Sequence, residues 1–335
     1  MGGRRAYSVN LRGGLRQILA LAPSSWLQLT ADLSTRFFGY NYPGFNYFFV
    51  PWPLQVCSVY QRPASGITMR VTLITGASGG IGEALARRLA AGQHNLVLVA
   101  RSEAKLHALS TELAQQHGIS AQYVALDLTA PGADAQLFAE TERRRLEVDW
   151  LINNAGIGSI GDFAALDLGS ELAMLRLNID ALVALTHRYL RPMRARRRGT
   201  IVEVASMAAF MPVPFMAAYA ASKAFVRSFT EALAAENEPF GIRVMLLCPG
   251  ATETGFFDAA KVGADNMGLF GDLQTPAQVA DAALNGLRTG KRVTVSGAKN
   301  ALLARLGNFI PNSLVLRSLA ATYRPIYQQP TAPNV

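Results

Sequence analysis

The sequence predicts an α/β fold, a doubly wound parallel sheet in one domain, with an extension at its N-terminus. Short runs rich in Val, Ile and Leu alternate with helix-length segments from Met69 onward. The runs show little polar alternation, which is typical of strands buried on both faces. The first run leads directly into a glycine-rich loop at residues 75–82. Strand, helix and strand repeated in this order imply parallel pairing with right-handed crossovers.

The predicted strands are seven apolar runs. They cover residues 71–74, 96–100, 122–126, 150–152, 201–204, 244–247 and 293–295. A helix is predicted after the first strand at residues 83–91, and a long helix at residues 217–238. Pro131 suits a first helical turn, and Thr275 before Pro276 is typical of a helix cap followed by a first turn.

Composition excludes several classes of protein. Half of the 335 residues are hydrophobic and 16% are charged, which excludes a mainly disordered chain. Two cysteines, Cys57 and Cys248, cannot build a disulfide framework. The four histidines are scattered through the chain, so no metal site is predicted.

The net charge of +9 is unevenly distributed. Residues 1–68 hold six arginines and one acid, Asp32, so much of the excess lies there. No basic-aromatic module accompanies it, and we therefore predict no nucleic-acid partner. The densest basic cluster, within residues 194–198, falls where a long helix is expected to end, and cations there favour the helix dipole.

Three segments are predicted along the chain. Residues 1–68 form an extension, residues 69–298 the catalytic domain, and residues 299–335 a helical tail. The extension is uncharged from Phe37 to Gln61, but Gly and Pro interrupt it, whereas a membrane-spanning helix needs about 20 continuous apolar residues. It is poorly ordered upstream chain, a targeting segment, or an appendage that faces a membrane or a partner. The regular pattern that begins at Met69 favours the first of these.

The glycine-rich loop "TGASGGIG" predicts a dinucleotide site. Glycines at 76, 80 and 82 allow a tight turn, a close approach of the backbone to pyrophosphate, and close helix–strand packing. The helix that follows offers amide groups and the positive end of its dipole to the phosphates. A plain tight turn is the alternative, but the position between the first strand and first helix favours the dinucleotide.

The end of the second strand predicts NADP(H) in preference to NAD(H). An NAD-binding fold commonly places an acid there to bind the ribose 2′-hydroxyl. Here Ala100 occupies that place and Arg101 follows, so a guanidinium is available for a 2′-phosphate. Glu103 is close enough to offer a carboxylate to the ribose of NAD(H), which leaves the cofactor choice open. It is expected, however, in the first turn of the next helix.

Four polar residues are candidates for catalysis. Tyr219 and Lys223 are four apart in a predicted helix, which places them on one face. Ser206 lies just past a predicted strand, and Asn178 lies within the preceding helical stretch. Because a doubly wound sheet binds its ligand at the carboxyl ends of its strands, these residues are expected at one site.

In these motifs the sequence resembles the short-chain dehydrogenase/reductase family, whose fold is the Rossmann fold. The resemblance rests on "TGASGGIG" (75–82), "LDL" (126–128), "NNAG" (153–156), Asn178, Ser206, "YAASK" (219–223) and "PGATET" (249–254). These motifs are in the family's order and span roughly residues 69–295. Residues 1–68 have no counterpart in the common pattern, and the end of the chain is variable in the family.

The resemblance implies which residues bind the cofactor. They are Thr75, Gly76, Ser78, Gly80, Ile81, Gly82, Arg101, Asp127, Leu128, Asn153, Ala155, Gly156, Tyr219, Lys223, Pro249, Gly250 and Thr254. Asp127 would meet the adenine, and Asn153 and Gly156 would border the adenosine ribose. Thr254 would hold the carboxamide of the cofactor. The alternative is that Thr252 and Thr254 both only cap the loop.

The resemblance also implies the catalytic roles of Asn178, Ser206, Tyr219 and Lys223. A carbonyl that receives hydride must gain a proton, and a phenol with a pKa near 10 is a weak donor. Lys223 is expected to lower that pKa and to bind the nicotinamide ribose. Ser206 would hold the substrate oxygen, and Asn178 would position a water for proton relay. Alternatively, Asn178 bonds only to backbone and Ser206 only caps a strand end.

These residues predict an oxidoreductase that transfers hydride between NADP(H) and a carbonyl or alcohol. Residues 207–216 and 255–273 are rich in Phe and Met, which favours an apolar ketone or secondary alcohol, unless these side chains only pack a lid. A non-catalytic dinucleotide sensor or scaffold on the same fold is the alternative, and epimerisation or dehydration is a third.

The C-terminal tail, the oligomeric state and the cellular location are the remaining predictions. The tail is expected to form two amphipathic basic helices split by Pro311, which cover the pocket or make a weak contact with a membrane surface. The resemblance implies a homodimer or homotetramer. We expect a cytoplasmic protein, with organelle targeting or membrane association through residues 1–68 as the alternatives.

Overall fold

The sheet has seven strands, in a computed structural model that describes residues 68–256, 273–306 and 311–327. The strands are β1 (Met69–Thr75), β2 (Leu96–Ala100), β3 (Ala121–Ala125), β4 (Leu146–Asn153), β5 (Gly199–Val204), β6 (Ile242–Cys248) and β7 (Val293–Val295). Their order is β3-β2-β1-β4-β5-β6-β7, and every pairing is parallel. The predicted doubly wound sheet and its seven strands are confirmed.

Strand β3 departs from the expectation that the strands are buried on both faces. None of its five residues is fully buried, whereas all five of β2 are. The reason is position, because β3 lies at the edge of the sheet and only β2 pairs with it. The sequence of a strand shows that it is apolar, but it does not show whether the strand lies at the edge or inside the sheet.

Helices cover both faces of the sheet. They are α1 (Gly80–Ala91), α2 (Glu103–His117), α3 (Ala133–Arg143), α4 (Leu168–Leu175), α5 (Leu182–Arg196), α6 (Ala217–Asn237), α7 (Pro276–Arg288), α8 (Ala298–Leu306) and α9 (Asn312–Tyr327). A π-helical turn, Arg176–Ala181, joins α4 to α5, and a 3₁₀ turn, Met207–Phe210, precedes α6.

The helix ends are set by local chemistry, which the sequence predicted for α7 but not for α3. Thr275 caps α7 in a full capping box with Gln278, and Pro276 is the first residue, as expected. Pro131 was expected in a first turn, but α3 begins at Ala133 with Gly132 as its cap. A glycine with positive φ thus separates the proline from the helix.

Two hydrophobic layers sandwich the sheet. On one face, Leu85 and Leu89 of α1 pack with Val279 of α7 against the central strands. On the other face, Leu185 and Met193 of α5 are buried against the opposite side of those strands. Burial of both faces explains why the strands read as continuous apolar runs.

The basic cluster lies at the end of α5, as predicted, and it also bonds that end to a neighbouring strand and helix. Arg198 forms ion pairs with Asp149, at 2.9 Å, and with Glu147. Arg194 Nε donates to Asn237 Oδ1 at 2.6 Å. These contacts join α5 to β4 and α6, so the cluster has a structural role beyond its interaction with the helix dipole.

The predicted tail forms two helices, α8 and α9, on either side of Pro311. The expectations for residues 1–67, and those for Phe257 and Phe270 of the suggested lid, lie outside the described residues. Within the part of the chain that the structure describes, no helix combines the length and apolarity needed to cross a bilayer. In the same part, His, Cys, Asp and Glu side chains nowhere gather in threes as metal ligands do.

Candidate active site

The site lies at the carboxyl ends of the central strands, where the strand order reverses between β1 and β4. Thr75 ends β1, and its hydroxyl oxygen accepts hydrogen bonds from the backbone amides of Asn154 and Ala155, both at 3.0 Å. Asn154 returns a hydrogen bond from Nδ2 to the Thr75 carbonyl at 2.9 Å. These bonds hold the loop after β4 against the loop after β1, which makes the side chain of Thr75 a support for the site.

The glycine-rich loop forms a cradle that larger residues would fill. Gly76 and Gly80 have φ of +66° and +55°, which side chains disfavour. A Cβ on Gly82 would lie 2.2 Å from the Gly76 carbonyl oxygen. Helix α1 begins at Gly80, three residues earlier than predicted, and no side chain of the described residues caps it. The amides of this first turn therefore fit the pyrophosphate of a dinucleotide.

Other predicted cofactor residues line the same loops. Ser78 is half-buried in the glycine-rich loop, while Ile81 and Leu128 pack partly against the two core layers. Gly156 is confined, because a Cβ there would lie 3.1 Å from Asn178 Oδ1 and 3.3 Å from Lys223 Nζ. The loop after β4 therefore brings the cofactor side of the site close to the catalytic side.

Charged residues mark the end of the site beside β2 and β3. Arg101 directly follows β2 and is exposed. Hydrogen bonds from the backbone and side chain of Thr129 lower the pKa of Asp127, and the charge of Arg101 contributes to the shift. Glu103 is the first residue of α2, as expected, so it stands in a helical turn and outside the strand end.

The side chain of Asn153 makes contacts within the protein, and its place beside the ribose stays a prediction. Its side chain is buried and donates from Nδ2 to Thr186 Oγ1 at 2.9 Å and to Glu203 Oε1 at 3.2 Å. The side chain therefore points into a polar cluster beneath the sheet end. The neighbouring Asn154, which the analysis of the sequence passed over, is the asparagine whose side chain holds the cofactor loop.

Tyr219 and Lys223 lie one turn apart on α6, and both are buried. Lys223 Nζ donates to the Val204 carbonyl at 3.0 Å and lies 5.9 Å from the centre of the Tyr219 ring. Burial raises the pKa of Tyr219 to about 12, and the Ser206 hydroxyl opposes that shift. Burial lowers the pKa of Lys223 to about 8, while Cys248 and Glu203 oppose it.

The net shift of the Tyr219 pKa is upward, so burial outweighs the lowering that was expected from Lys223. Both groups lose hydration, and removing a phenolate from water costs more than the nearby ammonium returns at this separation. The consequence is a phenol that stays protonated at neutral pH. Tyr219 is therefore suited to donating a proton.

Ser206 and Asn178 both make the backbone contacts that were the alternatives to their catalytic roles. Ser206 caps the 3₁₀ turn, since its Oγ accepts from the Ala208 amide at 3.1 Å, but it also interacts with Tyr219. Asn178 exchanges hydrogen bonds with the Ile157 backbone at 3.0 and 3.1 Å and donates to Ser222 Oγ at 3.2 Å. It stands in the π-helical turn, a feature frequent at functional sites.

The loop after β6 closes the site over the glycine-rich loop. The Pro249 carbonyl accepts from the Met207 amide at 2.9 Å, and the Gly250 amide donates to Ser296 Oγ at 3.3 Å. Thr252 donates to the Gly250 carbonyl, whereas the Thr254 side chain lies against Gly80. Of the two threonines, Thr254 is therefore the one beside the cofactor loop.

Apolar side chains surround the Tyr219 phenol. Phe256 lies 5.2 Å from the Tyr219 ring, and Met174 and Met216 are buried in the same cluster. Tyr327 of α9 joins this cluster and lies 6.0 Å from the Phe215 ring, so the tail does reach the pocket wall. Covering of the pocket by the tail was one of the two alternatives given by the sequence, but Tyr327 was not identified as the contacting residue.

Two further residues near the site, Glu203 and Cys248, were not among the predicted site residues. Glu203 is fully buried as the penultimate residue of β5, and a lone carboxylate within the apolar run "TIVEV" was the available signal. Cys248 ends β6 as a buried free thiol, and burial raises its pKa to about 12. Its contact with the Ser206 backbone had no signal in the sequence, because it depends on how β5 and β6 pair.

Comparisons with known proteins agree with this geometry. The sequence pattern of the short chain dehydrogenase family matches residues 70–263. The chain is 32% identical over 230 residues to a 7β-hydroxysteroid dehydrogenase of Collinsella aerofaciens, covering 68% of this chain and 86% of that protein.

Two solved structures extend the likeness. A short-chain dehydrogenase of Sphingobium yanoikuyae in complex with NADPH has a TM-score of 0.66 and 30% identity, covering 80% of this chain and 99% of that one. A bulky-bulky ketone specific alcohol dehydrogenase of Comamonas testosteroni has a TM-score of 0.61 and 28% identity, with 80% and 98% coverage. The pattern match, the parallel sheet and the glycine cradle agree, and the chain belongs to the short-chain dehydrogenase/reductase family of oxidoreductases.

Proposed function

We propose that this protein is an NADP(H)-dependent carbonyl reductase that acts on bulky apolar ketones and on the corresponding secondary alcohols. The observation that carries the proposal is the buried Tyr219, which has Lys223 one turn away, Ser206 beside it and an apolar wall around it. A site that only sensed a dinucleotide would not need a proton donor enclosed with a polar hydroxyl partner.

The cofactor would lie across the loops that follow β1, β2 and β4. The first turn of α1 would bind the pyrophosphate, and Arg101 would pair with the 2′-phosphate. Thr254 and Gly250 would border the nicotinamide, and Lys223 would hold its ribose. The bound cofactor supplies or accepts the hydride.

The side chains of this protein supply the proton and its control. In the reducing direction Tyr219 donates its phenolic proton to the ketone oxygen, which Ser206 holds by a hydrogen bond. The charged Lys223 then stabilises the phenolate that remains. Asn178 fixes Ile157 and thereby the wall beside Lys223, and its position is suited to a proton relay through water.

The apolar wall supports a large hydrophobic substrate. Ile160, Met174 and Met216 are buried around Tyr219, and Phe256 and Tyr327 are partly buried at its margin. One relative carries the name hydroxysteroid dehydrogenase, and one similar structure is specific for bulky-bulky ketones. Polycyclic and aryl ketones are therefore proposed ahead of sugars.

A panel of carbonyl compounds tests this function. NADPH oxidation is followed by absorbance with a steroid ketone, an aryl ketone, a 3-oxoacyl thioester and a ketose, and the panel is repeated with NADH. We expect turnover of the first two with NADPH, little with the ketose, and none for the Tyr219→Phe variant. Tight NADPH binding without turnover of any compound would instead indicate a dinucleotide sensor.

A further inference from the structure

A buried polar cluster lies directly beneath the catalytic helix. Glu203 is in β5, an inner strand of the sheet; it pairs in register with Asn153 of β4, and its carboxylate faces Thr186 of α5. Thr186 donates to Glu203 Oε1 at 2.7 Å, and Asn153 donates to the same oxygen at 3.2 Å. Among the described residues, neither Glu203 Oε2 nor Asn153 Oδ1 has a hydrogen-bond partner, although both atoms are buried.

This cluster is coupled to Lys223. The ammonium donates to the carbonyl of Val204, the residue that follows Glu203, and it interacts electrostatically with the Glu203 carboxylate. One short piece of β5 therefore presents both a backbone acceptor and a negative charge to the same buried cation.

The other groups packed around Lys223 do not replace this charge. Asn153 and Thr186 are neutral, and Tyr219 and Cys248 are held neutral at ordinary pH because burial raises the pKa of each to about 12. Arg227 and Glu231 interact with Cys248. Among the described carboxylates, Glu203 is therefore the one whose charge acts on the ammonium of Lys223, and it directly precedes Val204, whose carbonyl accepts from that ammonium.

We propose that Glu203 is a positioning residue that keeps Lys223 charged and seated over Val204, and so sets the upper pH limit of ketone reduction. A buried ammonium without a counter-charge tends to lose its proton. Burial raises the pKa of Glu203 to about 7, and hydrogen bonds from Thr186 and Asn153 oppose the shift. Above that pH the carboxylate is charged, which is where Lys223, with a pKa lowered to about 8, needs it.

A merely structural role would be served as well by a neutral amide. Glutamine has nearly the same shape, and its oxygen would still accept from Thr186 and Asn153. Burying a carboxylate costs more free energy than burying an amide. The negative charge is the property that glutamate has and glutamine lacks. Glu203→Gln therefore separates charge from packing.

The test is the pH profile of kcat/KM for the best ketone of the panel at saturating NADPH, from pH 6 to pH 10. In Glu203→Gln we expect the alkaline limb to move down by about one pH unit, with KM at pH 6.5 unchanged. Thr186→Val removes a hydrogen bond that stabilises the carboxylate, and it should move the limb in the same direction by less. Glu203→Asp keeps the charge and should restore the wild-type limb.

Thr200→Val is the matched control, because Thr200 is buried in the same strand, is nearly isosteric with valine and lies outside the cluster. It should leave the limb in place. An unchanged limb in a folded, active Glu203→Gln protein overturns the proposal. If that variant does not fold, an unchanged limb in Thr186→Val overturns it. The proposal rests on the catalytic role proposed for Lys223, and a wild type that reduces no ketone would instead contradict the proposed function.

Discussion

Replacing the Glu203 carboxylate by an amide should make the protein more stable at neutral pH. The pKa of Glu203 is raised from 4.5 to about 7 because the group is fully buried. A carboxyl group with a raised pKa in the folded state stabilises below its unfolded value, and that stability is lost as the pH rises towards the folded value. The loss therefore falls between about pH 4.5 and pH 7.

The size of the effect follows from proton linkage. Each unit of pKa difference corresponds to about 1.4 kcal/mol, and the part that falls between pH 5 and pH 7.5 amounts to about 2 kcal/mol. Glutamine does not titrate, so the gain in stability of Glu203→Gln over the wild type should grow by that amount across this interval. Lys223, whose pKa is about 8 in the wild type, loses its proton at lower pH in the variant if Glu203 keeps it charged, and this adds to the gain in the same direction.

The measurement is urea unfolding of wild type and Glu203→Gln at pH 5 and pH 7.5, followed by tryptophan fluorescence, with Trp150 in β4 as a reporter. Thr200→Val serves again as the control and should show the same difference from wild type at both pH values. A Glu203→Gln difference that is equal at pH 5 and pH 7.5 would show that the carboxyl group does not titrate in this range. The reasoning about its burial would then be wrong.

Three other outcomes are expected. Tyr219→Phe should reduce turnover at least about a hundredfold through loss of the proton donor while leaving the NADPH dissociation constant unchanged, and near-normal turnover would refute the proposed role. Ala100→Asp combined with Arg101→Ala should weaken NADPH binding about tenfold in fluorescence titrations, since the exposed guanidinium is worth a charge-assisted hydrogen bond of roughly 1.5 kcal/mol. Equal affinity of the wild type for NADH and NADPH would contradict that assignment. Gly82→Ala should abolish NADPH binding in the same titration, because its Cβ would meet the Gly76 carbonyl oxygen at 2.2 Å, and retained binding would show that the loop can open.

The predictions that succeeded from sequence depend on local pattern. Runs of Val, Ile and Leu located the seven strands, since burial of both faces leaves no room for polar alternation. Thr275 and Pro276 marked the start of α7 because capping acts within one turn. The four-residue spacing of Tyr219 and Lys223 placed them on one face of α6, since that spacing is close to a helical turn.

The contacts of individual side chains could not be predicted from sequence where they depend on a partner distant in the chain. Asn153 and Asn154 are adjacent and chemically identical, yet the first faces Glu203 and Thr186 and the second holds the glycine-rich loop. Successive residues at a strand end point to opposite sides, and the sequence does not say which side carries the ligand.

The sequence by itself determined the fold class, the strand positions, the glycine cradle and the catalytic helix, because each follows from periodicity or from contacts within a few residues. Only the tertiary structure decided the protonation chemistry. It buried Tyr219 and Lys223 together on α6 and brought the Glu203 carboxylate of strand β5 under the influence of Lys223. It also brought Tyr327 to the pocket from the end of the chain. Desolvation and charge act through space, so the pKa values of these groups depend on packing that local pattern does not encode.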